Sequence, residues 1–244
     1  MAQLQTFILA GGKGSRLHSD RPKALTMVNG RPIIEHQIGR LLAQGLNQVS
    51  IALGSQQDAF VQHFGVSVQD PQQSPIFQRV SFDGNDLYLR LLSTGANCDT
   101  GGRLSRLSNL IEQPFLLSWC DGYWDLNVHD MVDFHSHGNS LATILAVHPP
   151  ARFGRLELQD DQVLQFREKP VSRDEWISGG LFVIDPPVLE RINGDDCSFE
   201  RQVLTGLALD GELQAWRHEG FWHCMDTPAD HDRLEQLLVN RQVA

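Results

Sequence analysis

Phe7-Ile8-Leu9-Ala10-Gly11-Gly12-Lys13-Gly14-Ser15-Arg16-Leu17, with Arg21-Pro22-Lys23-Ala24-Leu25 close behind, is the stretch on which the reading of this chain turns. Phe7, Ile8 and Leu9 read as a short buried strand that ends abruptly in three glycines and two cations. Glycine lets the backbone turn sharply and approach a ligand with no side chain in the way. Successive N–H groups in such a turn make an anion-binding concavity. Arg16 can grip phosphate with a planar fork, and Lys23 supplies a mobile point charge. The stretch reads as a triphosphate cradle, with Leu9, Ala10, Gly11, Gly12, Lys13, Gly14, Ser15, Arg16 and Lys23 against the nucleotide.

Two other glycine-rich patterns fail on the letters. A P-loop needs Gly-Lys followed directly by Ser or Thr, whereas Gly14 separates Lys13 from Ser15. A dinucleotide fingerprint needs glycines at its first, third and sixth positions and an acidic residue about 20 residues on. Gly12 and Gly14 supply the first two, but position 17 is Leu. Leu-Ala-Gly-Gly-x-Gly-Ser-Arg-Leu with a following Pro-Lys resembles the signature of sugar-1-phosphate nucleotidyltransferases. That resemblance implies an enzyme joining a nucleoside triphosphate to a sugar 1-phosphate with release of pyrophosphate.

Outward from the loop, the first half alternates strand and helix patterns. Residues 4–10, 47–53 and 115–119 read as strands. Residues 32–44 read as a helix with Ile33, Ile34, Ile38, Leu41 and Leu42 on one face and Gly45 as its stop. Ser55 with Asp58 reads as a capping pair for a helix to about His63, and Val128 to His137 as a helix ended by Gly138. Such alternation implies a Rossmann-like α/β fold, a mostly parallel mixed sheet with helices on both faces. In the second half, residues 153–168 alternate around Asp160-Asp161 like a hairpin and 176–184 form a strand. Helical patterns return at about 186–192, 198–209 and 228–240. We read one domain over 1–244, with a nucleotide-binding half to about 125 and a sugar-phosphate half from about 126, whose extra strands close over the sugar. Segment 75–93 alternates and fits either an internal hairpin or a subunit-contact arm.

Composition narrows the partners. The 244 residues carry a formal net charge of −10, which argues against nucleic acid, since binders of nucleic acid usually present a basic face. Anionic substrates must then be held by a local cluster of cations. Cys98, Cys120, Cys197 and Cys224 are scattered, with no Cys-x-x-Cys pair, a usage that fits reduced thiols in a cytoplasm. No apolar stretch approaches the ~20 residues that cross a bilayer. His135 and His137 lie two apart on one helix and so face different ways. His129, His148 and His223 show no ligand spacing.

Nucleotidyl transfer needs alignment of three phosphates and neutralisation of the leaving group, work that Mg2+ supports when one or two carboxylates hold it. Asp121 follows the apolar strand Phe115–Trp119, at the strand end where open α/β sheets bind ligands. Asp226, in Gly-Phe-Trp-His-Cys-Met-Asp-Thr-Pro (220–228), stands just before a helix. Read as structure alone, Asp121 is a turn residue and Asp226 a helix cap; read with the loop, both are Mg2+ ligands. Asp99-Thr100-Gly101-Gly102-Arg103 opens a helix whose N–H groups could meet a base or ribose. In Phe166-Arg167-Glu168-Lys169-Pro170, Glu168 suits sugar hydroxyls and Lys169 the sugar phosphate.

Thr-Gly-Gly-Arg-Leu, Ala-Arg-Phe-Gly, Glu-Lys-Pro, Trp-Ile-x-Gly-Gly-Leu-Phe-Val, Glu-Gly-Phe-Trp and Met-Asp-Thr are together similar to the glucose-1-phosphate cytidylyltransferases, from about residue 100 onward. Arg16 and Lys23, read from the loop, are catalytic together with Asp121, and by the resemblance Gly102 and Arg103 touch the nucleotide. It likewise assigns Asp121 and Asp226 to Mg2+, and Glu168, Lys169 and Gly180 to the sugar phosphate, while Trp176-Ile177-Ser178-Gly179-Gly180 reads on its own letters as backbone brought close to the hexose. It implies CTP and glucose 1-phosphate as substrates and a homo-oligomer. Three positions depart from that pattern: Cys120 before Asp121-Gly122 with Tyr123-Trp124 after it, Ser178 in place of Asn, and a short connection at 18–21. Gly-Lys-Gly-Ser-Arg with that short connection resembles uridylyltransferases acting on N-acetylglucosamine 1-phosphate, so the base stays open here. Guanylyl and thymidylyl transfer remain alternatives, as does a non-catalytic sensor on the same fold.

Overall fold

The computed structural model describes residues 4–12, 21–149, 153–168 and 175–242. Lys13, Gly14, Ser15, Arg16 and Lys169 therefore lie outside the described residues. Strand β1 (Gln5–Ala10) is buried along nearly all its length. Its side chains divide by the two-residue period of a strand. Ile8 and Ala10 enter the apolar layer on one face, Phe7 and Leu9 the layer on the other. A small hairpin, β2 (Met27–Val28) and β3 (Arg31–Pro32), leads into α1 (Ile33–Leu42), whose Ile33, Ile34, Ile38 and Leu41 are fully buried. There follow β4 (Gln48–Leu53), α2 (Gln57–Phe64), β5 (Val68–Gln69), β6 (Gln78–Phe82), β7 (Asn85–Ser93) and α3 (Thr100–Ser105). Next come β8 (Phe115–Trp119), β9 (Gly122–Trp124), α4 (Val128–His137), β10 (Ala142–Val147), β11 (Arg155–Gln159) and β12 (Gln162–Arg167). The chain continues through β13 (Ile177–Ile184), α5 (Thr205–Leu209), β14 (Leu213–Arg217), β15 (Trp222–Cys224) and α6 (Pro228–Gln242).

One central sheet runs in the order β14-β10-β13-β8-β1-β4-β7-β5, with β6 also on β7. Strand β1 pairs in parallel with both β4 and β8, and β4–β7, β5–β7 and β10–β14 are parallel too. Antiparallel pairing enters at β13, which runs against β8 and β10, and at β6 against β7. Residues of α1, α2 and α4 pack on one face, those of α3 and α5 on the other, as the alternating pattern implies. After β1 the chain crosses to β4 on one side, and β8 returns on the other. That reversal opens a crevice outside the carboxyl ends of β1 and β8, where such sheets take ligands.

Local expectations fare unevenly. The helix after β4 is not capped by Ser55: the residue before it is Gln56, at φ 60°, with no side-chain cap. The turn is instead tied from inside by Gln57, whose Nε2 donates to Gly54 O (2.9 Å) and Ser93 Oγ (2.8 Å). Residues 186–191 form a 3₁₀ turn, because Pro186 and Pro187 lack the N–H groups a longer helix would use. Residues 199–204 form a wide π turn before α5 rather than one continuous helix. Segment 75–93 is β6 and β7, an antiparallel pair inside the central sheet.

The C-terminal strands also divide differently from expectation. Strands β10, β13 and β14 lengthen the central sheet, while β11 and β12 stand apart as the hairpin expected around Asp160. On that hairpin Leu156 faces Phe166 and Leu158 faces Val163, with Arg155, Arg167, Glu157 and Gln165 at the alternate positions. All four apolar side chains are half or more exposed. No helix among the described residues is long and apolar enough to cross a membrane.

Candidate active site

The pairing of β1 with β8 brings Leu9 opposite Trp119, so the glycine loop and the Cys120-Asp121-Gly122 turn leave the sheet side by side. Gln37 fixes that turn. Its side-chain amide donates to Trp119 O (2.8 Å) and Gly122 O (2.5 Å) from a position that is 1% exposed. The turn then meets Asp226 through a short antiparallel pair, β9 with β15, in which Cys224 faces Gly122. Met225 N donates to Asp121 O (2.9 Å) just beyond it. Two acids 105 positions apart in the sequence are thereby held against one cleft.

Lys23 joins them. Pro22 opens a single 3₁₀ turn in which Ala24 and Leu25 are buried, which anchors the backbone and leaves the lysine stem to reach forward. Its Nζ lies 2.5 Å from Asp121 Oδ2 and also pairs with Asp226 Oδ1. Burial works against the ammonium charge, but Asp121 and then Asp226 outweigh it and raise the pKa above the ordinary lysine range. Lys23 is therefore fully protonated at neutral pH.

The bland account of Asp226 as a helix cap does not hold. Thr227 caps α6: Asp230 N donates to Thr227 Oγ1 (3.2 Å), and Thr227 N donates to Asp230 Oδ2 (2.9 Å). This is a reciprocal box of the kind that satisfies helix-start donors. The Asp226 carboxylate is left to face Lys23. Asp121 and Asp226 offer hard carboxylate oxygens that already converge on one positive charge, the donor chemistry Mg2+ takes. Among the described residues no group of three or more His, Cys, Asp or Glu gathers into a metal site. An ion at these two acids would draw its remaining ligands from substrate phosphate and water, as Mg2+ commonly does.

A cavity of about 320 Å3 opens between the glycine loop and these acids, reaching Trp119, Thr100 and Glu200. Arg103 lines it but is only 4% exposed. Its guanidinium donates to Thr94 Oγ1 (2.5 Å), Gly95 O (3.1 Å), Cys98 O (3.1 Å) and Gly11 O (3.4 Å). An alanine Cβ at Gly11 would fall 2.0 Å from Arg103 Cζ, so glycine is required there for the arginine to lie beneath the loop. Arg103 thus holds the loop's shape while still lining the cavity, beside the nucleotide contact expected for it. The N-terminus of α3 departs from expectation. Gly101 N and Gly102 N donate to Cys197 O (2.9 and 3.2 Å), and Thr100 N to Asp99 Oδ1 (2.7 Å). Those donors are spent within the fold, so Gly102 offers no free N–H to a base or ribose.

In β13, Gly179 O accepts from Trp222 Nε1 (2.9 Å) and Ser178 Oγ accepts from Gly180 N (3.3 Å). Gly180 sits at φ +72°, and a Cβ there would meet Trp119 Cδ1 at 3.2 Å. Gly180→Ala is expected to cost about 1–2 kcal/mol through left-handed strain, a fall of roughly 2–8 °C in Tm. Thermal unfolding checks this. Glu168, on the exposed hairpin, carries an interaction within the fold; it follows β12 directly.

The two cysteines nearest the acids are held as protonated thiols. Burial and then Asp121 push Cys120 up to about 12, and burial followed by Asp121 and Asp226 does the same for Cys224. All four cysteines are free thiols. His135 is buried and hydrogen-bonded to Thr143 and Asp185, in keeping with a non-ligand role.

The sequence reading missed Gln37, Trp119, Thr100 and Glu200. Gln37 had a signal, a polar residue inside the apolar stripe Ile33, Ile34, Ile38, Leu41. Glu200 had none: it reaches the cavity only because the π turn sets its carboxylate to accept from Thr100 Oγ1 (2.6 Å).

With this geometry in hand, comparison with known proteins is direct. The model of the family described as Nucleotidyl transferase matches residues 5–209. The glucose-1-phosphate cytidylyltransferase of Salmonella typhi is 34% identical over 96% of this chain and 95% of its own length. Mannose-1-phosphate guanyltransferase beta-A of Xenopus laevis is 29% identical over 93% of this chain and 62% of its own length. Among solved structures, HddC of Yersinia pseudotuberculosis superposes with a TM-score of 0.73 at 21% identity, over 96% of this chain and 99% of that one.

Proposed function

Since the chain belongs to the nucleotidyl transferase family, and is a sugar-1-phosphate nucleotidyltransferase, we propose that it makes CDP-glucose from CTP and glucose 1-phosphate with Mg2+. The observation that carries the reading is the meeting of Asp121, Asp226 and Lys23 at the mouth of the glycine-lined cavity. The similarity to a cytidylyltransferase over nearly the full length of both chains supports CTP.

In this reading a phosphate oxygen of glucose 1-phosphate attacks the α-phosphorus in line. The bond from the α-phosphorus to the bridging oxygen breaks, and its electron pair leaves with pyrophosphate. Leu9, Ala10, Gly11 and Gly12 form one wall of the triphosphate site, while Lys13, Gly14, Ser15 and Arg16 complete the cradle. Lys23 neutralises the departing phosphates. Asp121 and Asp226 would hold Mg2+, which supplies charge neutralisation and orients the α-phosphate. Glu168, Lys169 and the Ser178-Gly179-Gly180 turn orient the sugar phosphate. A homo-oligomer, the further expectation, is supported by the uncovered apolar face of β11–β12, since a lone two-stranded hairpin is only marginally stable in water.

Pyrophosphate release measured with Mg2+ over four NTPs and several sugar 1-phosphates tests the proposal. Release confined to CTP with glucose 1-phosphate is the expected result. Preference for GTP with mannose 1-phosphate, the substrates in the name of the Xenopus relative, would overturn the specificity and keep the chemistry. Tight nucleotide binding with no release would make the chain a sensor.

A further inference from the structure

The geometry points to Lys23 as the resident cation of the metal site: its ammonium holds Asp121 and Asp226 together until a triphosphate draws it away and a divalent ion takes its place. This rests on the assignment of those two acids to Mg2+. Three observations carry it. First, the ammonium lies 2.5 Å from Asp121 Oδ2 and also pairs with Asp226 Oδ1. A magnesium ion needs oxygens at about 2.0–2.1 Å, so an ion at these carboxylates would sit within a few ångströms of the ammonium and compete with it for the same two acids. Two like charges at such range also repel strongly. Second, the backbone of Lys23 is fixed by buried Ala24 and Leu25, while a four-carbon stem lets the charged tip move without the chain. Third, Gly11, Gly12 and Lys23 line the same cavity as the two acids. Phosphate bound there gives the ammonium an alternative anion within reach.

The consequence is coupled loading. Free metal competes with Lys23 and binds weakly, whereas the metal–nucleotide complex supplies a partner for each charge and binds well. Lys23 then serves as a positioning residue before it serves the leaving group, and it keeps two acids from repelling each other in the empty enzyme.

Mn2+ binding to the nucleotide-free protein, followed by the paramagnetic resonance signal of the free ion, tests this without any turnover. Lys23→Met is expected to raise Mn2+ affinity by about tenfold or more, as removal of a neighbouring like charge predicts. Lys23→Arg, which keeps the charge, is expected to leave it weak. A parallel thermal scan should find the Lys23→Met protein less stable in EDTA and restored by millimolar Mg2+, with the wild type indifferent. Unchanged Mn2+ affinity in a folded Lys23→Met protein would overturn the inference. Adding Asp121→Asn to Lys23→Met separates the two claims. If the tightened binding survives that change, the ion does not sit between these acids and the metal assignment itself fails. If wild-type binding depends on Asp121 yet Lys23→Met gains nothing, only the resident-cation role fails.

Discussion

Asp121→Asn is expected to lower turnover by about a thousandfold or more, the cost that its proposed role as a Mg2+ ligand predicts, and to scarcely move the melting temperature. The two halves of that expectation come from different parts of the geometry. Asparagine keeps the shape and one oxygen of the aspartate, so the Lys23 ammonium retains an acceptor there and its full pairing with Asp226. The Asp121 side chain is 25% exposed, and a partly exposed ion pair is worth about 1 kcal/mol or less. In a chain of this size that amounts to a fall of about 2–4 °C in Tm. Chemistry is less forgiving, since a neutral amide is a poor ligand for Mg2+ beside a single remaining carboxylate. Steady-state kcat for pyrophosphate release, read beside a thermal scan of the same preparation, checks both. Near-normal kcat, or a fall in Tm above 10 °C, would return Asp121 to the status of a turn residue.

The sequence names candidates for the site because the motifs that carry them are local. Gly11, Gly12 and Lys23 lie within one short segment, and Asp121 follows an apolar strand whose end in an open sheet marks a crevice. Fold class was readable for the same reason: the helix stripe Ile33, Ile34, Ile38 and the runs at 5–10, 48–53 and 115–119 are each decided by neighbours a few residues away. What stayed hidden depends on pairings distant along the chain. Asp121 and Asp226 are named together from their motifs, but the register of β9 against β15 that joins them is encoded in no local periodicity. Arg103 reads as a cation near a ligand until Thr94, Gly95, Cys98 and Gly11 are seen around it. Gly101 and Gly102 read as free donors until the Cys197 carbonyl is seen to take them.

Arg103→Met is the change expected to injure the fold most. Methionine keeps much of the stem's volume and removes the guanidinium. That leaves Thr94 Oγ1 and the carbonyls of Gly95, Cys98 and Gly11 without the donor they now share. A buried polar group left without its partner costs about 1–3 kcal/mol. Even partial rescue by water therefore leaves a loss of about 3 kcal/mol or more, read as a fall of roughly 6–12 °C in Tm. The damage should spread to binding, because Gly11 closes against Arg103 with no room for even a methyl group. Without that support Gly11 loses the packing that shapes the wall of the proposed triphosphate site. An arginine acting mainly as a nucleotide contact behaves otherwise: its loss weakens nucleotide binding and leaves the ligand-free protein as stable as before. Thermal unfolding without ligand, set beside the KM for the nucleotide, separates the two. A large fall in Tm with a raised KM is the expected pair; a raised KM at unchanged Tm would restore Arg103 to the nucleotide and take it out of the scaffold.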